Sequence, residues 1–208
     1  MRECILGIDA GGTSIKATLF TVGGQEIATE SMLVASRKVA PGRAERDLKD
    51  IDKALVILIQ GLLEKSQMSP HDIQVIAATG HGNGLYCLDR SGAGMLAIQS
   101  TDSRAATLAD TLANSLVGQG IAKISLQQPW PAQTPTILAA LKQSQPELYE
   151  RIGTVFFCKD YINYFLTSII STDVTDMSGA GMLQLPETSY SDTLLEHYGI
   201  DELADSLP

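Results

Sequence analysis

The first candidate chemistry in this 208-residue sequence lies in a short polar turn between two apolar runs. Its polar residues and glycines are, in order, Asp9, Gly11, Gly12, Thr13, Ser14 and Lys16. Adjacent glycines allow backbone conformations that a side chain would forbid, and successive N–H groups in such a turn form an anion-binding nest. The hydroxyls and the lysine add donors and positive charge, and Asp9 could hold magnesium directly or through water. The stretch therefore indicates a site for a metal-bound phosphate chain.

A plain β-hairpin is an equally open interpretation of this stretch. A glycine pair between two apolar runs is first of all a hairpin turn. A Walker A loop is excluded because the turn lacks a Gly-Lys-Ser/Thr ending before a helix. A dinucleotide-binding fingerprint is excluded because a strand, rather than a helix, follows the glycines.

Three further polar clusters could contact a small ligand. After a predicted strand, residues 80–84 read Gly-His-Gly-Asn-Gly, and His81, Gly82 and Asn83 could bind the hydroxyls of a polyol. Alternatively, this loop is a glycine-rich connection with a solvated histidine. Asp102 stands before a predicted helix, where it or the next serine could simply cap that helix. The last cluster, residues 175–180, could be a turn with another helix cap.

Composition and charge narrow the class of protein. The sequence is 44% hydrophobic and 19% charged, which is typical of a folded globular protein. A formal net charge of -9 without a basic stripe argues against nucleic acid as a partner. Cys4, Cys87 and Cys158 lack metal-ligand spacing, so we expect buried, reduced thiols. No apolar stretch approaches the ~20 residues of a membrane span, and no signal peptide is recognisable; we therefore expect no membrane partner and a cytoplasmic location.

Hydrophobic periodicity predicts a three-stranded meander followed by alternating strands and helices. The predicted strands cover residues 4–9, 15–22, 26–34, 73–78, 85–88 and 95–98. The predicted helices cover residues 48–65, 103–117, 134 to about 142, a short segment that begins at Pro146, 159–166 and 189–198. Asp47 and Thr134 are predicted caps of the first and third of these helices, and Gly199 follows the last. Residues 40–46 are a predicted loop, and residues 118–130 give a weak signal. The pattern indicates an α/β protein with a mixed sheet.

Taken together and in this order, the motifs resemble the FGGY family of carbohydrate kinases. Residues 9–16 resemble the first phosphate motif that this family shares with hexokinase, actin and the heat-shock chaperone ATPases. Residues 41–47 are similar to its Pro-Gly-x-x-Glu-x-Asp segment, and residues 79–89 to its substrate loop. Residues 101–104 are similar to its x-Asp-x-Arg motif, although Ser100 stands where a tryptophan is frequent.

Two later stretches, Lys159-Asp160-Tyr161 and residues 175–180, also match the family. The loop sequence Gly-His-Gly-Asn-Gly-Leu-Tyr is most similar to the L-xylulose kinase or erythritol kinase branch. The resemblance covers essentially the whole chain.

The resemblance implies a ribonuclease-H-like (actin-like ATPase) domain with a mixed sheet, and phosphorylation of a small sugar or polyol by ATP with magnesium. The catalytic residues would be Asp9, which would also hold the metal, and Lys16. The cofactor-binding residues would be Gly11, Gly12, Thr13 and Ser14. The substrate-binding residues would be His81, Gly82, Asn83, Asp102 and Trp130. Trp130 is equally compatible with a core or interdomain position.

The resemblance further implies that residues 1–208 form the N-terminal, sugar-binding domain of a two-domain kinase. In this family, the catalytic aspartate and the nucleotide-binding domain follow later in the chain. We therefore expect the isolated chain to be inactive, to need the C-terminal kinase domain as a partner, and to expose apolar surface that favours a homo-oligomer. The alternatives are a noncatalytic sugar-binding or regulatory module and one half of a split kinase.

Overall fold

Two β-sheets organise the chain in the computed structural model, which describes residues 3–208 and, of Lys38, only the backbone. The strands of the described residues are β1 (Cys4–Ala10), β2 (Ser14–Thr21), β3 (Glu26–Leu33), β4 (Arg37–Ala40), β5 (Arg43–Glu45), β6 (Ile73–Gly80), β7 (Leu85–Asp89), β8 (Gly94–Ile98) and β9 (Ile152–Phe156). The helices are α1 (Leu48–Ser66), α2 (Ala106–Ala113), α3 (Leu116–Ser125), α4 (Thr134–Ser144), α5 (Pro146–Tyr149), α6 (Cys158–Thr167), α7 (Val174–Gly179) and α8 (Asp192–Tyr198).

The first sheet has the strand order β3-β2-β1-β6 and is mixed, as predicted. Strands β1 and β6 are parallel, whereas the meander β1-β2-β3 is antiparallel. Alternate residues of β1, namely Leu6, Ile8 and Ala10, are buried, because successive side chains of a strand point to opposite faces. The opposite face carries Asp9 and Lys16, which are both exposed.

The second sheet is antiparallel, with the order β4-β5-β8-β7-β9. Its strand β7 is buried on both faces. Tyr86 and Leu88 belong to the hydrophobic core that includes α1 and the first sheet, whereas Leu85 and Cys87 belong to a second core that includes α4 and α8. This double burial explains the uninterrupted apolar run of the strand.

Helix α1 covers the first sheet with an apolar stripe that has the predicted helical spacing. Ile51, Leu55 and Leu62 are fully buried there. Asp47 caps the helix, as predicted, and its carboxylate accepts a hydrogen bond of 2.9 Å from the Lys49 N–H. Later in the chain, α8 ends at the expected Gly199, which has a left-handed backbone with φ 65°.

Two local predictions were wrong around residues 40–125, and one alternative interpretation is excluded. The expected loop at 40–46 contains the turn and the second strand of the β4–β5 hairpin, and one helix expected over 103–117 is two helices. The break occurs where the Ser115 hydroxyl accepts a hydrogen bond of 3.0 Å from the Gly118 N–H and caps α3. Neither Asp102 nor Ser103 caps a helix, since α2 begins at Ala106 without a side-chain cap.

The predicted cap at Thr134 was also wrong, since Gln133 occupies that position without a side-chain cap. The Thr134 hydroxyl instead donates a 2.8 Å hydrogen bond to the Gly84 carbonyl. The three cysteines are free and buried, as expected. Across residues 3–208, every helix is too short or too polar to cross a bilayer.

Candidate functional site

Asp9 and Lys16 face each other across the β1–β2 ladder, and Asp9 also lies beside Thr79 of the parallel strand β6. These three residues line one concave surface of about 340 Å³, together with Phe20 and Ala77. A carboxylate and a hydroxyl at the ends of two adjacent parallel strands are thus brought together with an ammonium group from the antiparallel strand β2. The predicted catalytic pair is therefore adjacent and exposed to ligands.

The turn that follows Asp9 is held by two buried side chains that come directly after strands of the other sheet. Arg46 Nη2 donates a 2.7 Å hydrogen bond to the Gly11 carbonyl, and Gln99 Nε2 donates one of 2.6 Å to the Gly12 carbonyl. Gly12 and Thr13 border a second concave surface, of about 780 Å³, which Gln99 and the β4–β5 turn also line. The turn therefore separates two concave surfaces.

Residues 81–84 begin next to this turn because β1 and β6 end side by side. The His81 N–H donates a 3.3 Å hydrogen bond to the Ala10 carbonyl. Asn83 and Gly84 both have left-handed backbones, with φ 57° and 75°. A Cβ atom on Gly84 would lie 2.3 Å from the Ile98 carbonyl oxygen, so this position requires glycine.

His81 and Asn83 retain hydrogen-bonding capacity in this loop. His81 Nε2 lies 3.2 Å from the Tyr86 hydroxyl, whereas His81 Nδ1 and Asn83 Oδ1 are buried without a partner among the described residues. Burial, followed by the nearby charge of Arg46, lowers the pKa of His81 below its usual value of 6.5. A neutral imidazole and an amide suit the recognition of uncharged hydroxyl groups.

Asp102 is buried and its carboxylate is fully engaged by protein groups. It accepts a 2.7 Å hydrogen bond from the Ala44 N–H and bonds of 2.8 and 2.9 Å from Arg104 Nε and Nη2. Arg104 also contacts Glu45 at 2.6 Å. These contacts connect the β4–β5 hairpin to the segment after β8. This arrangement favours a positioning role for Asp102.

Trp130 is 37% exposed and lies in a segment attached to the 81–84 loop. Two hydrogen bonds join them: the Gly84 N–H donates to the Ala132 carbonyl at 2.9 Å, and the Thr134 hydroxyl donates to the Gly84 carbonyl. The segment that carries Trp130 is thus anchored at the end of the candidate sugar loop.

Sequence reasoning assigned no role to the ion cluster beside this loop. The Lys159 ammonium contacts Asp160, Asp173 and Asp176. Burial alone would lower the pKa of Lys159, but hydrogen bonds to these carboxylates raise it. A Cβ atom on Gly82 would lie 3.5 Å from Asp176 Oδ1, so the cluster borders the loop. The stretches that contain Lys159, Asp160 and Asp176 were recognised from the sequence, but Asp173 and the contacts among these four residues were not.

Magnesium is compatible with Asp9 only if other ligands complete its shell. Within residues 3–208, no group of three His, Cys, Asp or Glu side chains is placed to hold a metal ion. Magnesium commonly keeps several waters and uses one or two carboxylates together with substrate phosphates. The single exposed carboxylate therefore fits a metal that arrives with a phosphate chain, rather than a resident ion.

Comparison with known families identifies the domain. The model of the N-terminal domain of the FGGY family of carbohydrate kinases matches residues 4–208. This chain belongs to the FGGY family. A probable L-xylulose kinase of Haemophilus influenzae is 32% identical over 98% of the chain, and the L-xylulose/3-keto-L-gulonate kinase of Escherichia coli K12 is 28% identical over 100% of it. The chain spans only 42% of the length of each relative.

Solved structures of two kinases have the same fold as this chain. A gluconate kinase from Lactobacillus acidophilus superposes with a TM-score of 0.90 and 25% identity, covering 99% of this chain and 41% of the other. A xylulose kinase from Rhodospirillum rubrum superposes with a TM-score of 0.88 and 22% identity, covering 99% and 42%. The expected actin-like ATPase fold is confirmed.

Proposed function

We propose that this chain is the N-terminal, acceptor-binding domain of a carbohydrate kinase that transfers the γ-phosphate of ATP to a hydroxyl of a small sugar or polyol. An L-xylulose-like pentulose is the favoured acceptor, in line with the names of the relatives that match nearly the whole chain. A C-terminal domain of the kind that its relatives contain would supply the nucleotide site. We place the protein in the cytoplasm, where ATP and phosphorylatable sugars are available.

One observation carries this proposal: the phosphate-type turn and the polar loop lie side by side. Parallel pairing aligns Asp9 with Thr79 and Ala10 with Gly80, so both segments leave the sheet at one edge. Phosphoryl transfer requires an acceptor hydroxyl held close to the phosphate that it attacks. Adjacent sites for a phosphate chain and a polyol meet this requirement.

In the proposed reaction, different residues contact the phosphate chain, the cation and the acceptor. ATP with magnesium supplies the phosphoryl group when it is bound. The Gly11–Gly12 turn, Thr13 and Lys16 offer N–H, hydroxyl and ammonium donors to anionic oxygens, and Asp9 offers a carboxylate to the cation. The neutral His81 and Asn83 hold acceptor hydroxyls, and Trp130 offers an aromatic face beside the same loop.

A phosphorylation assay tests the proposal. The chain, Mg²⁺, ATP and L-xylulose are mixed with and without the remaining C-terminal part of the Haemophilus influenzae relative, expressed separately. We expect phosphorylated sugar only when both halves are present, and a rate at least tenfold lower with Asp9→Asn. Phosphorylation of the sugar by the chain alone would contradict the proposal that the acceptor site and the nucleotide site lie on separate domains.

The second candidate is a noncatalytic sugar-binding or regulatory module, favoured by the unused polar atoms of His81 and Asn83. Such a module would bind the sugar without ATP and would gain no activity from the second half. A split kinase would regain activity in the same assay. The two alternatives are therefore distinguished by one experiment.

A further inference from the structure

We infer that Arg46 and Gln99 are positioning residues that turn the Gly11–Gly12 peptides into an outward-facing anion nest and place a buried positive charge beneath it. This inference rests on the proposed function, since it concerns the turn that would face the phosphate chain. Neither side chain belongs to the turn itself. Arg46 precedes α1 and Gln99 follows β8, so both come from outside the first sheet.

The direction of the turn follows from the two carbonyls that these side chains hold. The exposed fractions of Arg46 and Gln99 are 4% and 3%, so the carbonyls of Gly11 and Gly12 point into the protein. In a trans peptide, the C=O and N–H groups point in opposite directions. The N–H groups of Gly12 and Thr13, which share those peptide planes, therefore point outward.

The outward N–H groups are available to a ligand. Gly12 and Thr13 are exposed, and their N–H groups have no hydrogen-bond partner in the part of the chain that the structure describes. Both residues line the concave surface of about 780 Å³ beside the turn. Successive backbone N–H groups of this kind bind the oxygens of a phosphate.

Arg46 adds charge as well as orientation. Its Nε and Nη1 atoms are buried without a partner among residues 3–208, and its one hydrogen bond goes to the neutral Gly11 carbonyl. A buried cation without a counter-charge is costly, and its field is weakly screened. An anion at the nest would relieve this cost, so charge and N–H groups favour the same ligand.

The other glycine hairpin of this sheet supplies a matched internal control. Gly23 and Gly24 connect β2 to β3, but there the Gly24 N–H donates a 2.9 Å hydrogen bond to the Thr21 carbonyl. Among the described residues, no side chain donates a hydrogen bond to the carbonyl of Gly23 or Gly24, whereas Arg46 and Gln99 donate to those of Gly11 and Gly12. It is a hairpin of similar composition without the arrangement proposed to bind anions.

The test is an NMR titration of the ¹⁵N-labelled chain with sodium pyrophosphate, without ATP or metal. We expect the amide resonances of Gly12 and Thr13 to shift and saturate, while those of Gly23 and Gly24 stay unchanged. Arg46→Met should weaken pyrophosphate binding at least tenfold, and Arg46→Lys should recover part of the loss because it restores the charge.

Gln99→Leu separates orientation from charge and provides a second variant if Arg46→Met does not fold. We expect at least threefold weaker binding from Gln99→Leu, although no charge is lost. The inference would be overturned if the Gly12 and Thr13 amide resonances of the unmodified chain did not shift with pyrophosphate. It would also be overturned if the folded Arg46 and Gln99 variants bound pyrophosphate as tightly as the unmodified chain. If the chain binds sugar but the Gly12 and Thr13 amides do not respond to pyrophosphate, only this inference fails and the proposed kinase function stands. If those amides respond but the chain binds no sugar, the result counts only against the proposed kinase function.

Discussion

At the residue scale, two polar side chains from family motifs differ in the hydrogen-bonding capacity that they retain. Both oxygens of Asp102 are occupied by the Ala44 N–H and Arg104. His81 Nδ1, by contrast, is buried without a hydrogen-bond partner among the described residues. The difference separates a residue suited to hold the scaffold from one suited to hold a ligand, although both belong to one predicted sugar site.

The first prediction concerns Asp102 and its clamp on the β4–β5 hairpin. Asp102→Ala leaves the Arg104 guanidinium buried beside Glu45 alone, and removing one partner of a buried pair costs about 3–5 kcal/mol of unfolding free energy. Asp50→Ala removes an exposed partner of Arg37 and should cost at most about 1 kcal/mol. Urea denaturation at pH 7 compares the two variants. Equal losses would contradict the structural role of Asp102.

A second prediction follows from the lowered pKa of His81. Between pH 6.5 and the lower pKa that His81 has in the folded chain, the unfolded chain protonates this histidine to a greater extent, so the unfolded state binds more protons. The contribution of His81 to stability therefore falls as the pH decreases from about 7 toward its folded pKa. We expect the unfolding free energy, measured by urea denaturation, to decrease less between pH 7.5 and pH 5.5 in His81→Gln than in the unmodified chain. The exposed His71→Gln variant should behave like the unmodified chain.

At the element scale, the sequence predicted the meander, α1 and strand β7 because hydrophobic periodicity within each segment decides them. It did not predict the β4–β5 hairpin, whose strands gain their pairing from contacts distant in sequence, as in the Glu45–Ile98 pair. It also missed Arg46 and Gln99, which donate to carbonyls 35 and 87 residues away. A hydrogen bond between a side chain and a distant backbone group leaves no local pattern.

A third prediction compares two glycines with left-handed backbones in different elements. Gly24→Ala adds a methyl group in open space, so it should cost only the ~1–2 kcal/mol of a left-handed alanine. Gly84→Ala also forces its Cβ against the Ile98 carbonyl, which should add about 1–3 kcal/mol. Thermal denaturation measures both losses. A Gly84→Ala variant as stable as Gly24→Ala would contradict the close packing of the 81–84 loop.

At the scale of the whole molecule, the chain spans 42% of the length of its full relatives, and several apolar side chains are exposed on it. Val75 and Ile76 of β6, the edge strand of the first sheet, are 54% and 43% exposed. Exposed apolar patches favour association, and open strand edges favour pairing with another chain.

The fourth prediction is therefore that the chain self-associates as its concentration rises. Light scattering after size exclusion should give a mass that increases with concentration, and Val75→Lys should reduce this increase because it places a charge on the edge strand. Leu116→Lys, at an exposed position on α3, is the matched control. A monomer at all concentrations would contradict the prediction.

The central claim is that residues 3–208 contain an acceptor site built on the 81–84 loop. Its most direct test is a calorimetric titration of the chain with pentuloses and tetritols, beginning with L-xylulose, without ATP. We predict one binding site, weakened at least tenfold by His81→Ala and unchanged by His71→Ala. Absence of binding by every pentulose and tetritol tested, or equal affinity in the His81→Ala variant, would contradict the claim.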